Sequence, residues 1–575
     1  MKIHSTFRIS ILISITALIM QSCTSNIKQE PLKTDIATTQ IKANVIVSEQ
    51  LNIVEIETGT IKGVESADHV EFLGIPYAEA PVKALRWAAP KPYKKWKGIK
   101  NTSKFGADCM QLPFPGDAAP LTGSVSEDCL FINVWKPKKA EGKKLPVMVW
   151  IHGGGFVNGG SSPDIYSGKA FAESGVILIS FNYRLGRFGF FAHPALSAER
   201  DANTVGTNAL GNYAFMDQIA ALKWIQRNIS SFGGDANNVT LFGESAGGRS
   251  VNALMLSPQS KGLFHKAIAQ SAGGRSSKVS PDLYLNKKVL NKLTQINDQE
   301  QYAEDYGIAF AKSVGVEGSD QQALKQLRLL PADKVVSGLN LSSMNNVMTY
   351  SGPMIDGKLV VESDEDGFSK GHQMKIPHIV GANELEWGFL DDFAPQAAKG
   401  IAARTLEKAG ERRKQFMSAY QPHLLRGNKN TRDIDLALLG SMIHGDTAFV
   451  EPSRYVARKL AANSQPVWLY RFNYVPTHLV GKVKGAYHAT EIPYVFNTGI
   501  QQYGDNFTQA DQKVADFMHN YWVDFAKSGT PAVINQPVWT TYDQKNEQVI
   551  EFNTMGAEAK KDPLFERLNE LELTL

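Results

Sequence analysis

One serine carries the clearest chemical signal in this sequence. Ser245 lies in the run Gly243–Gly248 (GESAGG), between the apolar stretch 239–242 and a run at 250–257 with helical character. This order predicts a strand, a tight turn and a helix, with the serine hydroxyl exposed at the tip of the turn. Glycines two positions before and after the serine let the chain fold back without Cβ clashes. The sequence therefore predicts that Ser245 is a nucleophile.

A second glycine-rich run predicts the donors that such a nucleophile needs. Attack on a carbonyl group creates a negative oxygen, which backbone N–H groups can stabilise. The run His152–Phe156 (HGGGF) follows an apolar strand and is typical of the loop that supplies these groups. We expect the N–H groups of Gly154, Gly155 and Ala246 to be the donors. Ala246 also begins the predicted helix, where the helix dipole favours an anion.

A serine hydroxyl is a poor nucleophile without a general base. His488 is the candidate base, because it lies in a loop after the apolar stretch 467–472 and follows Ser245 in the order typical of this arrangement. Other histidines stay open as rivals on position alone. They are His372, His378, His444 and His478.

The base needs a carboxylate that orients its ring. That carboxylate should follow a strand that lies between Ser245 and His488 in the chain. Glu384 and Glu386 both meet this condition, and their spacing alone does not choose between them.

The elements that must position these residues predict an α/β fold. Apolar strands alternate with helical stretches, which indicates a mostly parallel central sheet with helices on both faces. The helix predicted at 213–229 carries an apolar stripe at helical spacing, and the stretches 281–340 and 395–465 are predicted to be helical insertions. The predicted strands are 145–151, 176–181, 239–242, 267–270, 376–381 and 467–472.

Composition and charge are those of an ordinary globular enzyme rather than a nucleic-acid binder. The 575 residues include 61 Lys and Arg and 57 Asp and Glu, with no clustered basic face. We find no repeat and no long linker in the body of the chain. We therefore predict one folded domain at 51–575 and no nucleic-acid partner.

The first 23 residues predict an export signal. A basic start precedes an apolar run that is too short to span a bilayer, and the run ends near Cys23. The residues before Cys23 resemble a bacterial lipoprotein cleavage site, so lipidation at Cys23 is favoured over plain secretion. Residues 24–50 are polar and predict a flexible tether. The expected location is therefore outside the cytoplasm, either anchored to a membrane through Cys23 or free in the periplasm or medium.

Two further cysteines lie close together in the body of the chain. Cys109 and Cys129 are predicted to form a disulfide in an exported protein, with two buried free thiols as the alternative.

Many short motifs, in order, match a known family. The chain resembles the type-B carboxylesterases, the α/β-hydrolases that include carboxylesterases, cholinesterases and related lipases. The resemblance runs from about residue 51 to residue 542. Its motifs are GIPYA at 74–78, SEDCLFINV at 126–134, HGGGF at 152–156, NYR at 182–184, DQ at 217–218, FGGD at 232–235, GESAGG at 243–248, GLF at 262–264, QS at 270–271, PMIDG at 353–357, Gly381-x-Asn383-x-x-Glu386, His488-x-x-Glu491 and, late in the chain, Trp522 with Phe525-Ala526.

This resemblance implies a role for several residues. It implies a catalytic triad of Ser245, Glu386 and His488, because the last Glu of the Gly-x-Asn-x-x-Glu motif is the acid in the family. Glu244 and Glu491 match buried acids that orient the triad and a water molecule. It also implies that Cys109 and Cys129 form the first disulfide of the family.

The sequence departs from the family pattern at two places. Cholinesterases carry a Trp inside the first disulfide loop that holds choline by a cation–π contact, and residues 110–128 contain none. We therefore expect no specialisation for choline esters. Arg249 stands just after the elbow glycines, where a small residue is commoner.

The predicted activity is hydrolysis of small to medium carboxylic esters through an acyl-enzyme on Ser245. Protein groups fill every chemical role, so we expect no metal and no organic cofactor. Two alternatives stay open. One is a non-catalytic binding or adhesion protein on the same fold, and the other is a hydrolase that prefers amides, thioesters or lipids.

Overall fold

The structure is a computed structural model that describes residues 51–139, 142–202, 210–275, 283–293, 301–345, 347–424 and 435–575. From residue 50 to residue 575 the chain forms one compact unit. The predicted export signal, the tether and Cys23 lie outside the described residues.

An eleven-stranded sheet forms the centre of the fold. Its spatial order is β11-β10-β9-β8-β7-β6-β4-β5-β3-β2-β1. In chain order the strands are β1 (Val64–Glu65), β2 (His69–Pro76), β3 (Phe131–Pro137), β4 (Leu145–Ile151), β5 (Ile177–Phe181), β6 (Gly234–Glu244), β7 (Lys266–Gln270), β8 (His378–Asn383), β9 (Val467–Phe472), β10 (Gln548–Asn553) and β11 (Gly556–Lys561).

The middle of this sheet is parallel and its two edges are antiparallel. Strands β4 to β10 run in one direction, whereas β1, β2 and β3 at one edge and β11 at the other pair antiparallel with their neighbours. The parallel strands therefore end on the same side of the sheet, and the loops that follow them meet there.

Helices cover both faces of the sheet, as the alternating sequence pattern predicts. The longest, Gln509–Ser528, begins with Thr508 as a capping box and ends at Gly529 in the left-handed conformation. The other α-helices are Lys169–Glu173, Gly186–Gly189, Pro194–Ala202, Tyr213–Asn228, Ala246–Leu256, Lys287–Leu293, Ala303–Ser313, Gln321–Leu329, Ala332–Val336, Asp364–Lys370, Leu390–Phe393, Pro395–Ala409, Arg413–Leu424, Leu436–Gly445, Glu451–Ala462, Ile492–Val495, Gly499–Tyr503 and Phe565–Glu572.

Strand β4 shows why the core has two halves. Val147, Val149 and Ile151 point into one apolar cluster, and Met148 and Trp150 point into the other, on the opposite face of the sheet. All five side chains are buried because helices cover both faces, which explains the uninterrupted apolar sequence of this strand.

The C-terminal part of the sheet differs from the strands predicted from the sequence. Strands β10 and β11 form an antiparallel hairpin that was not predicted, and they extend the sheet beyond β9. A small separate sheet has three strands, Ile53–Ile56, Gly59–Lys62 and Ile99–Asn101, of which the first two form an antiparallel hairpin. Among the described residues, no helix is long and apolar enough to cross a membrane.

Candidate active site

Ser245 lies at the sharp turn between β6 and the helix Ala246–Leu256. Its backbone has φ +56° and ψ −121°, a conformation that is strained for a residue with a side chain. The neighbouring glycines leave no space for a Cβ atom. A Cβ atom at Gly243 would lie 2.6 Å from the carbonyl carbon of Gly247, and one at Gly247 would overlap the Ile151 carbonyl. The turn therefore holds Ser245 at its tip, as the motif predicts.

The glycine loop after β4 packs directly against this turn. A Cβ atom at Gly153 would lie 3.1 Å from the Ser245 Cβ atom, so the two segments are in contact. Gly154 and Gly155 have φ values of +98° and +61°, which favour glycine. Their N–H groups donate no hydrogen bond to any described residue. Ala246 is the first helical residue, so its N–H has no partner within the helix.

The segment between the two cysteines holds this loop in place. Cys109 and Cys129 form a disulfide. Gln111, which lies between them, accepts a hydrogen bond from the Gly159 N–H at 2.9 Å and one from Asn158 Nδ2 at 3.1 Å. Asn158 in turn accepts a hydrogen bond from the N–H of Leu341, at 2.9 Å. Asn158 thus joins the loop to both the disulfide segment and Leu341.

His488 and Glu386 form the tightest charged contact beside Ser245. The Nδ1 atom of His488 lies 2.6 Å from Oε2 of Glu386. The other oxygen of Glu386 accepts hydrogen bonds from Ser271 Oγ at 2.6 Å and from the Asn383 N–H at 2.8 Å. Glu386 is almost fully buried, and its orientation is set by three partners.

The rival residues have other neighbours. Glu384 contacts His423 at 3.4 Å rather than His488. Of the rival histidines, His378 is buried at the start of β8, His372 contacts Glu362, and His444 packs on Trp387. His478 packs against Tyr503. None of these histidines contacts Glu386 among the described residues.

Two more buried carboxylates, Glu244 and Glu491, surround the His488 ring. The Nε2 atom of His488 lies 3.2 Å from Oε1 of Glu244, a charge contact without hydrogen-bond alignment. Glu491 accepts hydrogen bonds from Gln270 at 2.9 Å and from Asn383 at 2.7 Å. The Ser245 hydroxyl makes no hydrogen bond to a described residue.

This setting changes the protonation of the ring. Burial by itself lowers the pKa of His488, but the charges of Glu244 and Glu386 outweigh burial and raise it to about 9. Burial raises the pKa of Glu244 well above its usual value, and the Glu491 and Glu386 charges raise it further, while His488 opposes the rise. The carboxylates therefore favour an imidazolium cation.

Sequence reasoning missed three polar residues that build this group. Ser271, Asn383 and Gln270 hold Glu386 and Glu491 through their side chains or backbone. Each lies at the end of β7 or β8, inside the motifs QS and Gly-x-Asn-x-x-Glu. Their position at strand ends on the side of Ser245 is the signal that could have found them.

A cavity of about 160 Å³ opens beside the glycine loop. Gly155 and Phe156 form one side, and the residues 350–355 form another. Arg249 also lines it. Over the described ranges, no cluster of His, Cys, Asp and Glu could hold a metal ion.

Known proteins are similar to this chain in both sequence and fold. A sequence model of the carboxylesterase family matches residues 50–569. The chain belongs to the carboxylesterase family. It is 34% identical to a fumonisin B1 esterase of Sphingopyxis macrogoltabida, over 85% of this chain and 84% of that protein. It is 32% identical to a para-nitrobenzyl esterase of Bacillus subtilis, over 87% and 94%.

A solved carboxylesterase structure agrees with this family membership. A Geobacillus stearothermophilus carboxylesterase has a TM-score of 0.72 and 28% identity, over 90% of this chain and 100% of that chain. The fold is therefore the α/β-hydrolase fold, and this carboxylesterase family member is a carboxylic ester hydrolase.

Proposed function

We propose that the enzyme cleaves small to medium carboxylic esters through an acyl-enzyme on Ser245. The observation that carries this proposal is the strained turn at Ser245, which packs against the glycine loop. His488, paired with Glu386, contacts Glu244 on the same turn. A nucleophile, a base and donors for the oxyanion are the parts that acyl transfer needs.

The first half of the reaction follows from these positions. His488 Nε2 takes the proton of the Ser245 hydroxyl as Oγ forms a bond to the ester carbonyl carbon. To do so, Nε2 must exchange its contact with Glu244 for one with Ser245, and such bonds commonly tighten only when substrate binds. The negative oxygen is held by the N–H groups of Gly154, Gly155 and Ala246. The imidazolium then gives its proton to the leaving alcohol as the carbon–oxygen bond breaks.

The second half regenerates the enzyme. His488 removes a proton from water, the water oxygen bonds to the acyl carbon, and the proton returns to Ser245 as the acid leaves. Glu386 fixes the ring through Nδ1 and stabilises its cation during both halves. This role suits a carboxylate that is buried and held by three partners.

The names of the relatives support an ester substrate without fixing one. One relative is named for fumonisin B1 and another for a para-nitrobenzyl ester. These compounds differ in structure. The names therefore indicate that members of the family cleave the same kind of bond, an ester, in substrates whose acyl and alcohol groups differ. Export and lipid attachment at Cys23 remain proposals that depend on the sequence.

The proposal is tested by replacing the nucleophile. Ser245→Ala should reduce turnover of p-nitrophenyl butyrate by at least about 10⁴-fold, because the remaining groups cannot form the acyl-enzyme. Circular dichroism should show an unchanged fold. A matched variant, Ser257→Ala, removes a hydroxyl beyond the end of the same helix and should keep activity. Unchanged turnover by Ser245→Ala would contradict the proposal.

A further inference from the structure

Arg249 lies one helical turn after Ser245 and borders the cavity of about 160 Å³ beside the glycine loop. Its N–H donates to the Ser245 carbonyl at 2.8 Å, so the two residues lie on the same face of the helix Ala246–Leu256. The cavity that its side chain lines also contacts Gly155, a predicted oxyanion donor. The guanidinium of Arg249 is therefore close to where a bound ester would lie.

The guanidinium of Arg249 is poorly paired compared with two neighbouring arginines. Its one ion pair with a described residue is to Asp364, with 4.0 Å between Nε and Oδ2, and its side chain is 43% exposed. It makes no hydrogen bond to a described residue. By contrast, Arg184 makes two side-chain hydrogen bonds to Asp217, and Arg187 makes four to the segment 335–349. Arg249 thus keeps most of its donors available.

Tyr350 adds a second unused donor to the same cavity. Its side chain is only 8% exposed, yet its hydroxyl has no hydrogen-bond partner among the described residues. Buried hydroxyl groups are normally paired, so a ligand that accepts a hydrogen bond would complete this one. Arg249 and Tyr350 both line this one cavity.

Two acidic residues, Glu362 and Asp364, also lie in the cavity wall. Glu362 contacts Lys370 at 3.4 Å and His372 at 2.6 Å. Asp364, the ion-pair partner of Arg249, lies in the first turn of the helix Asp364–Lys370, where the helix dipole stabilises a carboxylate. Its Oδ2 atom lies 4.0 Å from Nε of Arg249, which is too long for a hydrogen bond, so the donors of Arg249 stay available to a ligand.

We propose that Arg249 and Tyr350 bind a carboxylate of the substrate, so that the enzyme prefers esters with a second, free carboxylate. A guanidinium offers only donors, and its fork fits a carboxylate. This inference assumes the proposed function, since it places the second group relative to an ester at Ser245. The carboxylate belongs either to the acyl part or to the alcohol part of the ester.

Two pairs of esters separate these sources, each pair differing only by a carboxylate in place of a methyl group. Ethyl hydrogen glutarate against ethyl pentanoate tests the acyl part, and 4-acetoxybutanoate against butyl acetate tests the alcohol part. Acid release is followed by pH-stat. The readout is the ratio of kcat/KM for the anionic ester to that for its neutral partner. In one of the two pairs, the wild-type ratio should exceed one.

Substitutions then measure how much each of the two donors contributes to this kcat/KM ratio. Arg249→Met should lower it about tenfold, because a hydrogen bond to a charged group is lost, and Arg249→Lys should keep part of it. Tyr350→Phe removes only the hydroxyl and should lower it about threefold. Arg227→Met is the matched control. It removes the same charge from a similarly exposed side chain, at the end of the sheet opposite Ser245, and should leave the ratio unchanged.

The outcomes distinguish this inference from the proposed function. A wild-type ratio of one or below in both pairs, or the same ratio in Arg249→Met as in wild type, would overturn the carboxylate site while leaving ester hydrolysis intact. If the wild type cleaves none of the four esters and no p-nitrophenyl ester, the proposed function itself fails.

Discussion

Two sides of the active site differ in how fully their polar groups are paired. On the side of the strand ends, Glu386 has three partners and Glu491 has two. On the cavity side, Tyr350 has no hydrogen-bond partner among the described residues and Arg249 has one distant contact. Side chains with several partners are held in one geometry, which a catalytic reaction needs. Side chains with unused donors can instead donate hydrogen bonds to a ligand. Under the proposed function, the strand-end side carries out the reaction and the cavity side selects the substrate.

A substitution on the strand-end side should cause the largest loss of activity. Glu386→Gln replaces a carboxylate by an amide of the same size, so the His488 ring loses the charge that orients it and stabilises its cation. We expect kcat to fall about 10⁴-fold, as for the corresponding change in other serine triads. Glu384→Gln is the matched control, because Glu384 contacts His423 rather than His488. Equal losses in the two variants would contradict the assignment of Glu386.

The link between the two sides should have an intermediate effect. Asn158 binds Gln111 and the Leu112 carbonyl with its Nδ2 atom and the Leu341 N–H with its Oδ1 atom. Asn158→Ala frees the glycine loop, and a displacement of about 1 Å in a catalytic group can cost about 10²-fold. We expect kcat to fall by that factor with a smaller change in KM. A rise in KM alone would show that Asn158 serves substrate binding instead.

The smallest expected effect is a shift in pH dependence. The base must be neutral, so kcat/KM rises with pH as His488 loses its proton, and the pKa of His488 is raised to about 9. Glu244→Gln removes a negative charge 3.2 Å from Nε2, which destabilises the imidazolium and lowers this pKa. The rise in kcat/KM should move to lower pH by about one unit. A pH profile identical to that of the wild type would show that Glu244 is not ionised while His488 titrates.

The same division explains how much could be predicted from the sequence. Residues on the strand-end side lie in short motifs at strand ends, so Ser245, His488 and the glycine loop were predictable from residue types and order. The choice of Glu386 over Glu384 needed the family resemblance, because both follow the same strand. The structure brings Glu386 to His488 at 2.6 Å.

Residues on the cavity side were harder to predict. Tyr350 lies in a stretch without helical or strand periodicity, and its position depends on contacts far away in the chain, such as those of Arg187 with Thr349 and Val335. Arg249 was noticed only as a departure from the family pattern. The hairpin of β10 and β11 was missed because charged residues interrupt both strands, so no apolar run marks them.

The most direct test of the account is to find where the acyl group is attached during turnover. The enzyme is mixed with p-nitrophenyl butyrate, quenched with acid within milliseconds and digested, and its peptides are analysed by mass spectrometry. We expect a butyryl group on Ser245, formed together with a burst of p-nitrophenol. Continued turnover with the butyryl group on another residue, or with no acyl-enzyme under conditions that produce a burst, would contradict it.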